Sequence, residues 1–148
     1  MRFIIQRVAH ARLSIDNTVY SQIERGFLVY IGICQSDTME IAEKMTKKLI
    51  QMRIFEDENG KTNLSLDQVQ GSLLLVSQFT LYADCKKGNR PSFIEAASPD
   101  HAIPIYESII KACKQIVPNV QTGVFGADMS IESINSGPFT IILDSDHL

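Results

Sequence analysis

The sequence predicts a single α/β domain over residues 1–148, with mostly antiparallel strands in two packed, barrel-like sheets and two helices on the outside. Three observations predict it. The first third of the chain alternates apolar and polar residues with a period of two. Only two stretches, one after Ser36 and one after Pro99, carry apolar residues at helical spacing. The last thirty residues return to short strand-like runs punctuated by Gly123, Gly126 and Gly137, and no repeat, linker or low-complexity segment intervenes.

The elements follow in order. Phe3, Ile5 and Arg7 fall on one face of an opening strand, and Ile4, Gln6 and Val8 on the other. Ala11–Ile15 and Thr18–Ile23 meet across Asp16-Asn17, two residue types that tolerate positive φ and favour a two-residue hairpin. Phe27–Cys34 is apolar on both faces, so this strand is expected to be covered on both sides. Asp37 is the expected N-cap of the first helix, with Glu40 at the third helical position as in a capping box. Ile41, Ala42, Met45, Leu49 and Met52 form its buried stripe, while Lys44, Lys47 and Lys48 face away.

Glu56-Asp57-Glu58-Asn59-Gly60 marks an exposed turn, and Leu64 and Leu66 are expected to pack beneath the loop that follows. Ser72–Phe79 reads as a central strand. Lys86-Lys87-Gly88-Asn89-Arg90-Pro91 is a basic loop. The second helix starts at Pro99-Asp100, ends before Pro118, and buries Ile105, Ile109, Ile110 and either Cys113 or Ile116. Pro104 is tolerable there if it falls in the first turn. Val120–Phe125, Met129–Ile134 and Phe139–Leu143 complete the strands.

Composition narrows the function. With 45% apolar and 21% charged residues, a chain of 148 residues can bury roughly two-thirds of its unfolded surface and needs neither disulfide nor metal to hold a core. Cys34, Cys85 and Cys113 are scattered, as are His10, His101 and His147, and no ligand spacing for zinc or calcium occurs. No metal and no cofactor is expected. No apolar run approaches the ~20 residues of a membrane-spanning helix, and the N-terminus does not read as a secretory signal, so the expected compartment is the cytoplasm. A net charge of −3 argues against general nucleic-acid binding and leaves such a role to a local basic patch.

No side-chain catalytic set is evident: there is no G-x-S-x-G elbow, glycine-rich phosphate loop or dinucleotide fingerprint. Two segments nevertheless stand out. In Ser77-Gln78-Phe79-Thr80-Leu81 a buried strand suddenly gains polar groups, which either bond to backbone at an edge or line a cavity. In Asn135-Ser136-Gly137-Pro138-Phe139-Thr140, a Gly-Pro step between two strands reads as a plain turn, since only about 5–6% of X–Pro bonds in folded proteins are cis.

These two blocks resemble the Ser-Gln-x-Thr-Leu and Asn-x-Gly-Pro-x-Thr blocks of D-aminoacyl-tRNA deacylases of the bacterial and eukaryotic type. Gln6-Arg7-Val8, Arg53–Asp57, Asn63–Leu66, Arg90–Phe93 and Thr122–Met129 resemble further stretches of that family, in order, from Met1 to Ser145. The resemblance implies hydrolysis of the ester between a D-amino acid and the terminal adenosine of tRNA, by a homodimer with active sites at its interface. It implies that Gly137 and Pro138, joined in cis, enter the partner's pocket as a chirality filter opposite Ser77, Gln78, Phe79 and Thr80. Arg7 would brace the Gly-Pro segment, and Met129 would lie near the pocket.

A main-chain wall rejects L-residues but cannot reject glycine, so glycyl-tRNA, including glycine mischarged on alanine tRNA, is an expected second substrate. Catalysis would rest on the substrate's 2′-hydroxyl and on backbone N–H groups around Phe79 and Thr80. Lys86, Lys87 and Arg90 would hold tRNA phosphates, with Lys47 and Lys48 second. Ser136 and Phe139 depart from the family's usual Asp and Val. The alternatives are a nucleic-acid-binding protein without hydrolysis on the same fold, and a small-metabolite esterase.

Overall fold

The computed structural model describes all residues from Met1 to Leu148. Strand β1 (Arg2–Ile15) is the spine: one edge pairs with β3 (Gly26–Gly32) and then β2 (Thr18–Ile23), and the other edge pairs with β8 (Ser130–Asp144). Strand β3 continues the sheet in parallel to β6 (Ser72–Ser77), and β6 in parallel to β7 (Val120–Thr122). Helix α1 (Met39–Gln51) lies between β3 and β6 in sequence, and α2 (Pro99–Lys114) between β6 and β7. Parallel neighbours need such long connections, whereas the antiparallel pairs of β1 do not. A small ribbon, β4 (Phe55–Glu56) with β5 (Thr62–Leu64), stands apart from the six-stranded sheet. The strands are mostly antiparallel and barrel-like with two helices outside, as expected.

Alternation explains why the sheet has two cores. On β3 and β6, Phe27, Val29, Ile31, Leu73 and Leu75 point to the larger core with Met45, Leu49, Ile105 and Ile109 of the helices. Their neighbours Leu28, Leu74 and Val76 point the other way, into a smaller core with Val8, Ala11, Leu13 and Ile23. Removing a side chain such as fully buried Leu49 would cost about 2–5 kcal/mol. The curl of the sheet is fastened by Ser21, whose hydroxyl donates to the Thr122 carbonyl at 2.9 Å.

Three details differ from the sequence expectations, and one alternative left open is resolved. The N-cap of α1 is Thr38, whose Oγ1 accepts the Ile41 N–H; Asp37 is instead occupied by the Met1 ammonium at 2.6 Å and the Cys34 amide at 2.8 Å. An ion pair so deeply buried (both groups at 2% exposure or less) outcompetes a cap. Pro104 lies in the second turn of α2, on its exposed side, where the missing N–H leaves only a solvent-facing carbonyl. Cys113, not Ile116, is the buried residue at the end of that helix. The two final strands are a single strand, β8, interrupted by an excursion: Thr140 pairs opposite Gln6 and Asn135 opposite Val8, so residues 136–139 face Arg7 alone. The Gly137-Pro138 bond within it is cis.

Candidate active site

Strand β6 ends where its polar residues begin. After Ser77, the Gln78 amide donates to the Ile31 carbonyl at 2.8 Å, and the chain turns into a 3₁₀ helix at Phe79–Tyr82. That turn can pack on the end of β3 only because residue 32 is glycine: a Cβ there would lie 2.9 Å from the Leu81 Cβ and 3.3 Å from the Gln78 carbonyl oxygen. Arg2 secures the turn from the other side, donating to the Leu81 carbonyl at 3.2 Å and pairing with Asp144 on β8 at 2.8 Å. Burial, followed by a bond from Cys34, pushes the nearby Tyr82 phenol far above its ordinary pKa, so it is neutral throughout the physiological range.

Ser77, Gln78 and Phe79 line a cavity of about 270 Å³ together with Met129, Asp128 and a mainly aliphatic wall that includes Ile31 and Val76. Of the two readings left open for the end of β6, the cavity is the one realised. Thr80 is not in the lining; its exposed hydroxyl accepts from Gln78 Nε2 at 2.5 Å. The first bond of the 3₁₀ turn runs from Leu81 N–H to the Gln78 carbonyl, so the Phe79 and Thr80 amides have no acceptor within it. No histidine reaches the cavity. His101 shares a hydrogen bond with the Asp37 carbonyl at 2.9 Å, and His10 sits on β1 opposite Ile134.

The Gly137-Pro138 segment lies elsewhere on the chain. Neither residue lines the cavity of Ser77 and Gln78. Its base is clamped by Asn135, whose Oδ1 accepts the Phe139 amide at 2.7 Å while its Nδ2 donates to the Thr140 hydroxyl at 2.8 Å. This explains the spacing of Asn and Thr around the Gly-Pro step. Arg7, 7% exposed, fills the space beneath: Nε donates to the Ser136 carbonyl at 3.0 Å, Nη1 to the Ile54 carbonyl at 2.7 Å, and the guanidinium lies 4.7 Å from the Phe139 ring centre. Gly137 has φ +132°, and a Cβ on it would meet Arg7 Nη2 at 2.9 Å. A second cavity of about 290 Å³ opens beside Arg7, Arg25, Glu56 and Ser136.

The basic loop is closed by paired bonds between Asp84 and Ser92, both 2.8 Å, and Lys86, Lys87 and Arg90 are exposed on it. Phe93, just beyond, meets Phe79 edge-on at 5.0 Å and so ties the loop to the cavity rim. Sequence reasoning missed Asp128 and Phe93 as parts of this region. The Gly126-x-Asp128 turn after a strand was the available signal for the first, and an aromatic residue next to a basic loop for the second.

A family model described as D-Tyr-tRNA(Tyr) deacylase matches residues 4–144. This chain belongs to that family. Curated relatives named D-aminoacyl-tRNA deacylase include one from Clostridium novyi (strain NT), 50% identical over 145 residues and covering 98% of this chain and 97% of its own length. Another, from Lactobacillus gasseri, is 51% identical and covers 97% and 99%. Among solved structures, one described as c-Myc DNA unwinding element binding protein is 36% identical with a TM-score of 0.91, covering 97% of this chain and 98% of that one. A chain described as a probable eukaryotic D-amino acid tRNA deacylase is 20% identical with a TM-score of 0.82 and shares the fold.

Proposed function

We propose that the chain hydrolyses the ester of D-aminoacyl-tRNA, with the cavity at Ser77, Gln78 and Phe79 holding the acyl end. The observation that carries this reading is the abrupt change at the end of β6, where Ser77 and Gln78 bring polar groups into a mainly hydrophobic cavity open to solvent. An aminoacyl ester is already activated. Its hydrolysis asks mainly for positioning and for donors to the developing oxyanion. The Phe79 and Thr80 amides are assigned that donor role, and the substrate's own 2′-hydroxyl assists the attacking water, in keeping with a cavity that no histidine reaches.

Gly137 and Pro138 cannot act on this cavity from within one chain, because they do not border it. The reading therefore includes a homodimer in which the Gly-Pro main chain of one copy closes the cavity of the other. Exposed Ile134 and Ile142 on β8, at 53% and 69%, supply apolar surface for such a contact. The filter's stiffness comes from the Pro138 ring, the Asn135 clamp and the Arg7 brace, and a wall so fixed excludes a side chain on the L face. Glycine, which has no side chain to exclude, passes, so glycyl-tRNA, including glycine on alanine tRNA, is a substrate. Ser136 and Phe139 serve the same scaffold, the first through its carbonyl and the second through its ring on Arg7. Lys86, Lys87 and Arg90 hold phosphates near the cavity mouth.

The test is to incubate the protein with D-Tyr-tRNA, L-Tyr-tRNA and Gly-tRNA and follow loss of the ester. The first and third are expected to be deacylated and the second spared; equal rates on the D and L esters would overturn the filter. The description of one structural relative as a DNA unwinding element binding protein favours a second reading, nucleic-acid binding without hydrolysis. Retention of all three esters, with RNA or DNA bound, would select it.

A further inference from the structure

We propose that the second cavity, beside the Gly-Pro excursion, binds a phosphate group through Arg7 and Arg25. The site stands on its own geometry; its assignment to a backbone phosphate of the RNA substrate rests on the deacylase reading above. The cavity, of about 290 Å³, opens at a gap in the sheet. Pairing of β1 with β3 ends at Val8, pairing with β2 starts at Ala11, and the register with β8 shifts on either side of Val8, so Ala9 has no cross-strand partner. Arg7 and Arg25 line this gap, with Glu56 as its one acid and Ser136 in its wall.

Both guanidiniums keep free donors. Arg7, 7% exposed, commits Nε to the Ser136 carbonyl and Nη1 to the Ile54 carbonyl. Its Nη2 faces only Glu56 Oε1, at 3.8 Å, which is beyond hydrogen-bond reach. No buried side-chain nitrogen or oxygen in the chain lacks a partner, so Nη2 touches solvent, and the cavity is the opening that Arg7 lines. Arg25 lies between β2 and β3, where its carbonyl accepts the Ser72 N–H at 3.0 Å and its guanidinium rests 5.1 Å from the centre of the Phe55 ring. That ring is itself stacked on Phe27 at 5.0 Å. A ring face holds a guanidinium without using up its N–H groups, and Arg25 belongs to none of the four ion pairs of the chain.

Two cations against one carboxylate leave the cavity positive, and the Glu56 side chain, 61% exposed, is free to turn toward water. Guanidiniums on two separate elements can each take different oxygens of a tetrahedral phosphate, whereas a carboxylate fills one fork only. Ser136 joins this cavity to the filter: its carbonyl holds Arg7, and Gly137 and Pro138 follow it directly. In the dimer reading those two residues enter the partner's cavity, which sets the phosphate site beside the RNA strand that leaves it.

The test follows the arginine Nε–Hε signals of the full-length protein by NMR while potassium phosphate is added at constant ionic strength, with potassium acetate as the comparison anion. The Arg7 and Arg25 signals are expected to shift saturably with phosphate and not with acetate. Arg25→Gln should weaken phosphate binding, read at Arg7, by about tenfold, and Glu56→Gln should strengthen it by about threefold. Shifts that do not saturate, an equal response to acetate, or an Arg25→Gln protein that binds phosphate undiminished would each overturn the site. Deacylated tRNA separates the sources. With the RNA backbone as ligand, Arg25→Gln weakens tRNA binding and lowers the slope of log Kd against log salt by about one. Undiminished tRNA binding beside weakened phosphate binding would uphold the site, overturn the RNA assignment and give the site to free phosphate or a small phosphorylated molecule. None of these measurements uses ester cleavage, so a protein that bound phosphate yet left D-Tyr-tRNA intact would lose the deacylase reading and keep the site.

Discussion

Arg7 is an arginine at 7% exposure that owes its place to carbonyls more than to carboxylates. Glu56 is 3.8 Å away and largely exposed, whereas Ser136 and Ile54 accept at 3.0 and 2.7 Å. Arg7→Ala would leave these carbonyls unpaired and empty the space beneath Phe139. We expect a stability loss of about 2–4 kcal/mol, read from the urea midpoint, together with measurable hydrolysis of L-Tyr-tRNA as the filter loosens. Thr80 gives the opposite expectation. Its hydroxyl is exposed, bonded to Gln78, and has no base beside it, so Thr80→Ala should retain most of kcat. Complete loss with folding intact would make Thr80 a nucleophile. Arg7 was legible only through resemblance. Alternation puts it on a face with Phe3 and Ile5, and nothing local says that a guanidinium on that face would find two carbonyls 47 and 129 residues away.

Among the elements, α2 shows what periodicity can and cannot reveal. Its stripe of Ile105, Ile109 and Cys113 is buried as the spacing requires, but Tyr106 joins it, donating to the Leu75 carbonyl at 2.8 Å beneath β6. Burial pushes the Cys113 thiol up to about 12 and raises the Tyr106 and Tyr30 phenols as well. A folded-state pKa above the unfolded one means that the folded chain holds more protons once pH exceeds the unfolded value. Stability is therefore complete below about pH 8.5, where these groups are protonated in both states, and falls as pH climbs toward the folded values. Chemical denaturation between pH 8 and 12 should show this decline, and Cys113→Ala should reduce its slope by up to ~1.4 kcal/mol per pH unit within that window. A slope unchanged by Cys113→Ala would contradict the assignment. The capping of α1 was misread for a related reason: Asp37 and Thr38 are both good caps, and only the fold reveals that Asp37 faces the Met1 ammonium. The same holds for β8, where local turn residues suggested two strands and pairing along β1 made one.

At the scale of the whole molecule, the architecture was readable because each strand's pattern matches its place: β1 largely alternates, whereas β3 and β6 are apolar on both faces and are covered on both. The site was readable only in pieces. The parts of the proposed site come from the end of β6, the turn before β8 and an excursion within β8, and no periodicity connects them. The acidic chain must still attract RNA, and its basic loop is the local exception. Reversing Lys86 and Lys87 to Glu should raise KM for tRNA substrates, leave kcat near its original value and flatten the salt dependence, because two phosphate contacts are lost. An unchanged KM would remove the loop from the RNA contact.

The central claim is that the cavity of one copy works only with the Gly137-Pro138 main chain of another. Subunit complementation tests this most directly: a variant carrying Ser77→Ala and Gln78→Ala is mixed, under conditions that allow subunits to exchange, with a variant carrying Gly137→Ala and Pro138→Ala. Each alone is expected to be inactive on D-Tyr-tRNA or to have lost discrimination, and the mixture to recover D-selective hydrolysis, since each heterodimer contains one intact pairing of cavity and filter. A mixture no better than the sum of its two components would contradict the account.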